Sequence, residues 1–424
     1  MADLVIRGAT VVDQRGTRRA DVAVEDGRIV GVGTELDGGE ALDASGCVLA
    51  PGLVDLHAHL RQPGHEEAET VETGSRAAAL GGYTAVVAMP NTTPAIDSAA
   101  MVHEVLDLGR GALCDVRVAG AITMGREGEK LAPLAEMASL GVQLFTDDGR
   151  GVQDARLMRR ALEYASDLDV VLAQHCEDEA IAQGGVMHEG EWSSRLGLPG
   201  QPAEAEELMV QRDLVLARLT GARIHFQHLS TARSVELVRA ARAAGIAVTA
   251  EATTHHFTLT HASCAAYDPV FKVHPPLRTA ADVDGVRAGL ADGALDAIAT
   301  DHAPHAPHLK ELPFDQAPPG MLGLETALAL ALTELNLSID RVLALLSWQP
   351  AAITRLSDLH GGPIEPGRPA NLCVIDPAHE WVVEPAALAS RARNTPYAGR
   401  RLRGKVRHTL VGGELVVRDG EALR

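Results

Sequence analysis

The 424-residue chain is poor in lysine, with only Lys130, Lys272, Lys310 and Lys405 against a combined Lys and Arg count of 38. Aromatic residues make up 3% and the formal net charge is −19. Nucleic-acid binding needs clustered cations to neutralise phosphates and aromatic faces to stack bases, so both shortages argue against it. The five cysteines, Cys47, Cys114, Cys176, Cys264 and Cys373, are scattered and form no C-x-x-C pair. That excludes a disulfide framework and a cysteine-type zinc site and points to a reducing, cytoplasmic setting. No apolar run approaches the roughly 18 residues of a membrane span, and no charged-then-apolar leader precedes the first strand, which is read as starting within Met1–Val12.

What is present is 46% hydrophobic residues, 41 glycines and 18 histidines. The first 50 residues read as all-β. Val22–Val24 and Ile29–Val32 flank Asp26-Gly27, a strong hairpin signal between β-branched runs. The tail reads the same way, with strands at Leu372–Ile375, Trp381–Val383, Val406–Val411 and Glu414–Val417 and a turn at Gly412-Gly413. Neither end is long enough to bury a core alone. The economical arrangement joins residues 1–50 and 361–424 into one small β-sandwich domain, with residues 51–360 inserted between them. In the insert, short apolar runs alternate with Ala/Leu/Arg-rich helical stretches. The runs are Leu49–Val54, Thr84–Ala88, Val116–Ala121, Val142–Phe145, Val170–Ala173, Arg223–Phe226, Ala247–Ala250 and Ala297–Ala299. Helices fit between them at Val71–Leu80, Ala155–Ser166, Ala205–Leu219 and Ser234–Ala244. Eight strands alternating with helices predict an α/β fold, a (β/α)₈ TIM barrel.

Ligand-type residues gather where these strands end. The first strand runs into Asp55-Leu56-His57-Ala58-His59-Leu60-Arg61, and residues two apart on an extended chain face the same side. The fourth ends in Asp147-Asp148, the fifth in Gln174-His175, the sixth in Gln227-His228, the seventh in Glu251 and the eighth in Thr300-Asp301-His302. A lone H-x-H is a weak signal, and His175 or His228 alone would read as a core histidine. Convergence of several strand ends on one mouth is a far stronger one, since buried polar groups without partners are costly. Histidine nitrogens with carboxylate oxygens suit a borderline metal, zinc foremost. Asp147 and Asp148 point to opposite sides of an extended chain, so either could be the ligand.

These stretches resemble the amidohydrolase superfamily and, within it, the class I bacterial dihydroorotases. The likeness is carried by 51-PGLVDLHAHLR-61, 88-AMPNT-92, 145-FTDDG-149, 173-AQHCED-178, 227-QHLS-230, 299-ATDHAPH-305, 323-GLET-326 and 369-PANLCVID-376, and it covers essentially the whole chain. It implies metal ligation by His57, His59, Asp148, His175, His228 and Asp301, with one or two zinc ions. It implies substrate contacts from His59, Arg61, Asn91, His274, His305, Pro319 and Gly320. Many superfamily members bridge two metals with a carboxylated lysine after strand 4. No lysine stands there in this chain, so an aspartate must take any bridging role, and register against the family favours Asp148. Two departures stand out: His274 precedes Pro275-Pro276-Leu277-Arg278 where the family usually has Asn, and Pro319-Gly320 stands where it usually has Phe-Gly. Pro319 offers no N–H to a substrate.

The implied reaction is reversible hydrolysis of a cyclic amide. L-dihydroorotate opens to N-carbamoyl-L-aspartate, a step of pyrimidine biosynthesis, and Asp301 acts as the proton shuttle. The Pro-rich stretch Ala303–Gly320 is expected to form a lid over the site. The implied assembly is a homodimer, or a complex with aspartate transcarbamoylase. Two other readings compete. A hydantoinase, dihydropyrimidinase or allantoinase would use the missing lysine and need no Arg61. A non-catalytic scaffold for the transcarbamoylase would have lost ligands that are all retained here.

Overall fold

The computed structural model describes residues 2–424, so the expected strand start at Met1 lies outside the described residues and the strand is observed over Ala2–Arg7. The terminal segments build two sheets. One has four strands, with Ala2–Arg7 between the Asp21–Glu25/Arg28–Gly33 hairpin and Gly38–Asp43. The Asp26-Gly27 turn of that hairpin takes positive φ at both residues (47° and 74°), which matches the right-handed twist of the flanking strands. The other sheet has seven strands and interleaves both chain ends: Val48–Pro51 pairs antiparallel with Leu372–Val382 and parallel with Thr10–Asp13. Ile6, Val24, Ile29 and Leu42 of the first sheet share one buried cluster with Val11, Leu49, Val374 and Leu410 of the second. Burying each such side chain contributes about 1.5–3 kcal/mol, a gain neither chain end could collect alone.

The apolar run Leu49–Val54, expected as a single strand, is divided at Gly52. Val48–Pro51 belongs to the seven-stranded sheet, whereas Leu53–Ala58 begins the parallel array. Gly52 donates to Asn371 O and Leu53 to Gly82 O, so the chain changes partners at that residue. A Cβ there would lie 2.1 Å from the Thr84 side chain, so only glycine lets the two layers approach. The expected tail strands Leu372–Ile375 and Trp381–Val383 are likewise one irregular strand, Leu372–Val382, with register shifts after Val374 and Asp376.

The middle of the chain supplies β1 (Leu53–Ala58), β2 (Tyr83–Ala88), β3 (Asp115–Val118), β4 (Leu144–Thr146), β5 (Val171–Gln174), β6 (Ile224–Phe226), β7 (Val248–Thr253) and β8 (Ala297–Ala299). All pair parallel, in the runs β1-β2-β3 and β4-β5-β6-β7-β8. The bridge Gly120↔Phe145 links the two runs, and Ala58↔His302 returns the last strand to the first. Helices separate the strands, including Val71–Leu80, Ala155–Leu168, Glu204–Thr220, Ala232–Ala243 and Ala280–Asp292. Thr70 starts the first of these with a reciprocal capping box to Thr73. No described helix is long and apolar enough to cross a membrane.

Candidate active site

The C-terminal ends of the parallel strands bring the histidines and aspartates together. On β1, Asp55 and His57 share a face. Asp55 is consumed structurally, accepting from the Thr300 backbone and hydroxyl and from the His57 N–H. His57 Nε2 is buried without a hydrogen-bond partner and lies 3.4 Å from Asp148 Oδ1 and 3.6 Å from Asp301 Oδ1. His59 Nε2 sits 3.0 Å from Asp301 Oδ1 and 3.6 Å from Asp148 Oδ2. His228 Nε2 is 3.5 Å from Asp148 Oδ1 and 2.9 Å from His175 Nδ1, which is itself 3.4 Å from Asp148 Oδ1. Two overlapping donor groups result, His57/Asp148/His228 and His57/His59/Asp301, each with its ligand atoms within 4.8 Å of one another. His175 belongs to neither and approaches the first from the side.

The two candidate aspartates part here. Asp147 turns inward and accepts from Ile122 N at 2.8 Å, Thr123 N at 3.0 Å and the Thr123 hydroxyl. Asp148 faces the histidines. Burial alone would raise its pKa, but His57, His175 and His228 hold it well below the ordinary value. Burial opposes ionisation of Asp301 in the same way and is overridden by His59, His57 and His228. An unpartnered buried imidazole nitrogen among ionised carboxylates is a donor set suited to a divalent metal of zinc type.

A cavity of about 160 Å³ opens above this cluster, and His59, Arg61, Asn91, His274, His305, Pro319 and Gly320 all line it. A larger cavity of about 430 Å³ lies at the opposite strand ends, among Val171, Ile224, Ile246 and Val248. It holds no cluster of ligand-type residues, so the smaller one is the candidate site. Arg61 has positive φ (62°) and donates from Nε to Pro304 O at 3.0 Å, which leaves the guanidinium end for the cavity. Burial lowers its pKa to about 10, so it stays charged near neutrality. Asn91 Oδ1 lies 2.8 Å from His59 Nδ1. Burial, and after it the Arg61 charge, pushes His305 down to about 2, so its ring is neutral. Its Nε2–H donates to Pro319 O at 2.8 Å. Pro319 therefore contributes through its carbonyl, the one backbone hydrogen-bonding group it has. Gly320 is at φ 143°, and a Cβ there would come within 2.8 Å of Ala303 Cβ and His305 Nε2. The Gly320 N–H is itself taken up by Lys272 O at 2.9 Å.

Several supporting residues escaped the sequence reading. Asn394, from the segment read as part of the β-domain, donates to Ala303 O at 3.0 Å and Gly320 O at 3.1 Å and accepts from His305 N at 3.2 Å. It clamps both ends of the stretch expected to be a lid. Inside that stretch the short helix Pro307–Lys310 ends in Lys310, whose Nζ donates to Pro318 O at 2.8 Å and Pro269 O at 3.0 Å. Neither residue carries a motif, and both act over separations invisible to local pattern. Behind His274, the fully buried Arg278 donates to Ser230 Oγ at 3.1 Å, His188 Nδ1 at 3.2 Å and Gln201 O at 3.1 Å.

His188 yields a pH prediction. To accept from Arg278 it must be neutral, and burial, then the Arg278 charge, lowers its pKa from 6.5 to about 4. The unfolded histidine binds a proton below about 6.5 that the folded one refuses until about 4, so stability falls as pH drops through this window. Thermal midpoints at pH 7.5 and 5 should show a smaller fall in His188→Gln than in the wild type. An equal fall in both would refute the assignment.

Comparison with known proteins agrees with this geometry. A family model described as dihydro-orotase-like matches residues 46–234, and one for the urease alpha-subunit N-terminal domain matches residues 1–40. The dihydroorotase of Pelotomaculum thermopropionicum is 48% identical, spanning 98% of this chain and 99% of that protein. Those of Streptomyces coelicolor (99% and 100%) and Mycobacterium tuberculosis (95% and 96%) are also 48% identical. Among solved structures, L-hydantoinase from Arthrobacter aurescens superposes with a TM-score of 0.91 at 24% identity, over 100% of this chain and 98% of that one. Dihydropyrimidinase from Brevibacillus agri gives 0.87 at 23%, over 100% and 96%. At such identities these two show the common fold alone. Relatives nearly half identical along their full length show more: the chain belongs to the dihydroorotase family of amidohydrolases.

Proposed function

We propose that the chain is a zinc-dependent dihydroorotase that interconverts N-carbamoyl-L-aspartate and L-dihydroorotate in pyrimidine biosynthesis. The observation that carries this reading is the meeting, in one cavity, of His59, Asp148, His175, His228 and Asp301 with the Arg61 guanidinium, with His57 buried against the two aspartates. The six side chains of the cluster would hold one or two zinc ions. When bound, zinc polarises the substrate carbonyl and lowers the pKa of water at the site. Arg61 and Asn91 hold the substrate carboxylate, the former through charge-assisted bonds. In ring opening, the water oxygen bonds to the ring amide carbon and the C–N bond breaks. The Asp301 carboxylate accepts the proton that the water gives up and passes it to the departing nitrogen. Ring closure retraces these steps and expels water. His305, neutral and tied to Pro319 O, lines the same wall, and the clamped 303–320 stretch excludes solvent.

The supporting architecture reads as a (β/α)₈ barrel formed by β1–β8, with a small β-domain built from residues 1–50 and 361–424. The bridges joining β8 to β1 and β3 to β4 support the first, and the shared core of the terminal sheets supports the second. Five buried, unpaired cysteines suit the cytoplasm, and a homodimer or a complex with aspartate transcarbamoylase is the assembly the family suggests. Hydantoinase-type chemistry is disfavoured by the strand 4 end, which presents Asp147-Asp148 and no lysine. The deciding experiment measures zinc per chain together with turnover of L-dihydroorotate, hydantoin and allantoin. One or two zinc ions and selective opening of dihydroorotate are expected. A zinc-loaded chain that prefers hydantoin would sink the proposal.

A further inference from the structure

We infer that Glu251, at the end of β7, is the positioning residue that sets the tautomer and aim of His57 and anchors the His228 backbone. The inference rests on the reading above that His57 and His228 are metal ligands. His57 is the one residue shared by both candidate donor groups, so whatever orients its ring governs both. Glu251 is fully buried, and a buried carboxylate is tolerated only where donors surround it. Its Oε1 lies 2.8 Å from His57 Nδ1 and accepts from the His228 backbone N–H at 3.3 Å. Its Oε2 lies 3.1 Å from His225 Nε2, and His225 Nδ1 lies 2.9 Å from the Thr249 hydroxyl. A chain of contacts thus runs from Thr249 through His225 and Glu251 to His57.

The chemistry assigns the protons. An ionised carboxylate only accepts, so His57 Nδ1 must carry a hydrogen, and in the neutral ring that metal ligation requires Nε2 is the lone-pair nitrogen. That Nε2 is the buried, unpartnered nitrogen facing Asp148 and Asp301. Gln227 Nε2 also stands 3.2 Å from His57 Nδ1, but an amide cannot donate to a protonated nitrogen, and the charged acceptor is the nearer one. Gln227 Oε1 is occupied by the Thr146 hydroxyl at 2.6 Å. The same reasoning gives His225 a hydrogen on Nε2. Glu251 also anchors His228, whose backbone sits at a φ of 34° that non-glycine residues rarely adopt. One carboxylate therefore holds two ligands through separate bonds, and its negative charge behind the His57 ring raises the basicity of Nε2.

The test is the zinc affinity of the metal-free protein, measured by competition with a chromophoric chelator, for wild type, Glu251→Gln and His57→Ala. Glutamine keeps the volume but removes the obligate acceptor. Glu251→Gln should bind zinc about 10–100-fold more weakly, while the metal-free chain keeps its circular dichroism spectrum. Wild-type affinity in Glu251→Gln, with zinc lost in His57→Ala, overturns the positioning role alone. Wild-type affinity in His57→Ala overturns the ligand assignment itself. Should Glu251→Gln not fold, the ring ¹⁵N shifts of His57 in the zinc-loaded wild type decide. A protonated Nδ1 with the metal at Nε2 supports the inference, and the metal at Nδ1 overturns it.

Discussion

Asp301→Asn is expected to lower the rate of dihydroorotate ring opening by about 10²–10⁴-fold with zinc supplied, the range of a lost general acid–base group. Asparagine matches the carboxylate in size and shape, so the effect isolates charge and proton affinity. Asp301 is placed for the role in three ways. It follows β8 by two residues, its positive φ of 44° is a conformation that non-glycine residues seldom take, and its Oδ1 lies 3.0 Å from His59 Nε2. His59, His57 and His228 hold the carboxylate ionised against the cost of burial, the form that can accept a proton. The kcat/KM for ring closure should fall by the same factor as that for ring opening, since both directions cross one transition state and the overall equilibrium is unchanged. The measurement is kcat and kcat/KM in both directions, alongside zinc content. Turnover within tenfold of wild type, with zinc still bound, would remove Asp301 from the proton path.

The second large effect is on substrate binding. Arg61→Met should raise the KM for L-dihydroorotate by about 10²–10³-fold, because losing one partner of a desolvated charge pair costs about 2–5 kcal/mol. The guanidinium is pinned at Nε by Pro304 O and remains charged, with a pKa of about 10. Arg61→Lys should recover only part of the loss, since an ammonium lacks the planar fork that grips a carboxylate at two points. The control is 5,6-dihydrouracil, the same ring without the carboxylate. Any residual opening of that compound should respond little to either change. A dihydroorotate KM unmoved by Arg61→Met would assign the carboxylate to another residue.

The parallel strands were legible in the sequence because strands buried on both faces appear as short continuous apolar runs. The same property hid the break at Gly52, where two strands of different sheets follow one another without a change in hydrophobicity. The donor cluster was legible because H-x-H on an extended chain faces one way, and because each remaining candidate donor sits just after an apolar run. Asp147 and Asp148 were not separable on chemistry alone. They are separated in space by the Ile122 and Thr123 N–H groups, which capture Asp147 and leave Asp148 to the histidines.

Asn394 and Lys310 show where local reading ends. Asn394 bonds to groups 74 to 91 residues away, and Lys310 to carbonyls up to 41 residues away. Neither contact leaves a periodicity or a spacing. Residue order alone determined the class of chemistry: acid and imidazole donors at successive strand ends, an arginine two residues past one of those histidines, and no lysine where a carbamate bridge would form. Tertiary structure decided which aspartate faces the site, which His57 nitrogen is free, and what holds the cavity wall shut. Donor type is a property of a residue, whereas direction and hydrogen-bond partner belong to contacts between chain segments remote in sequence.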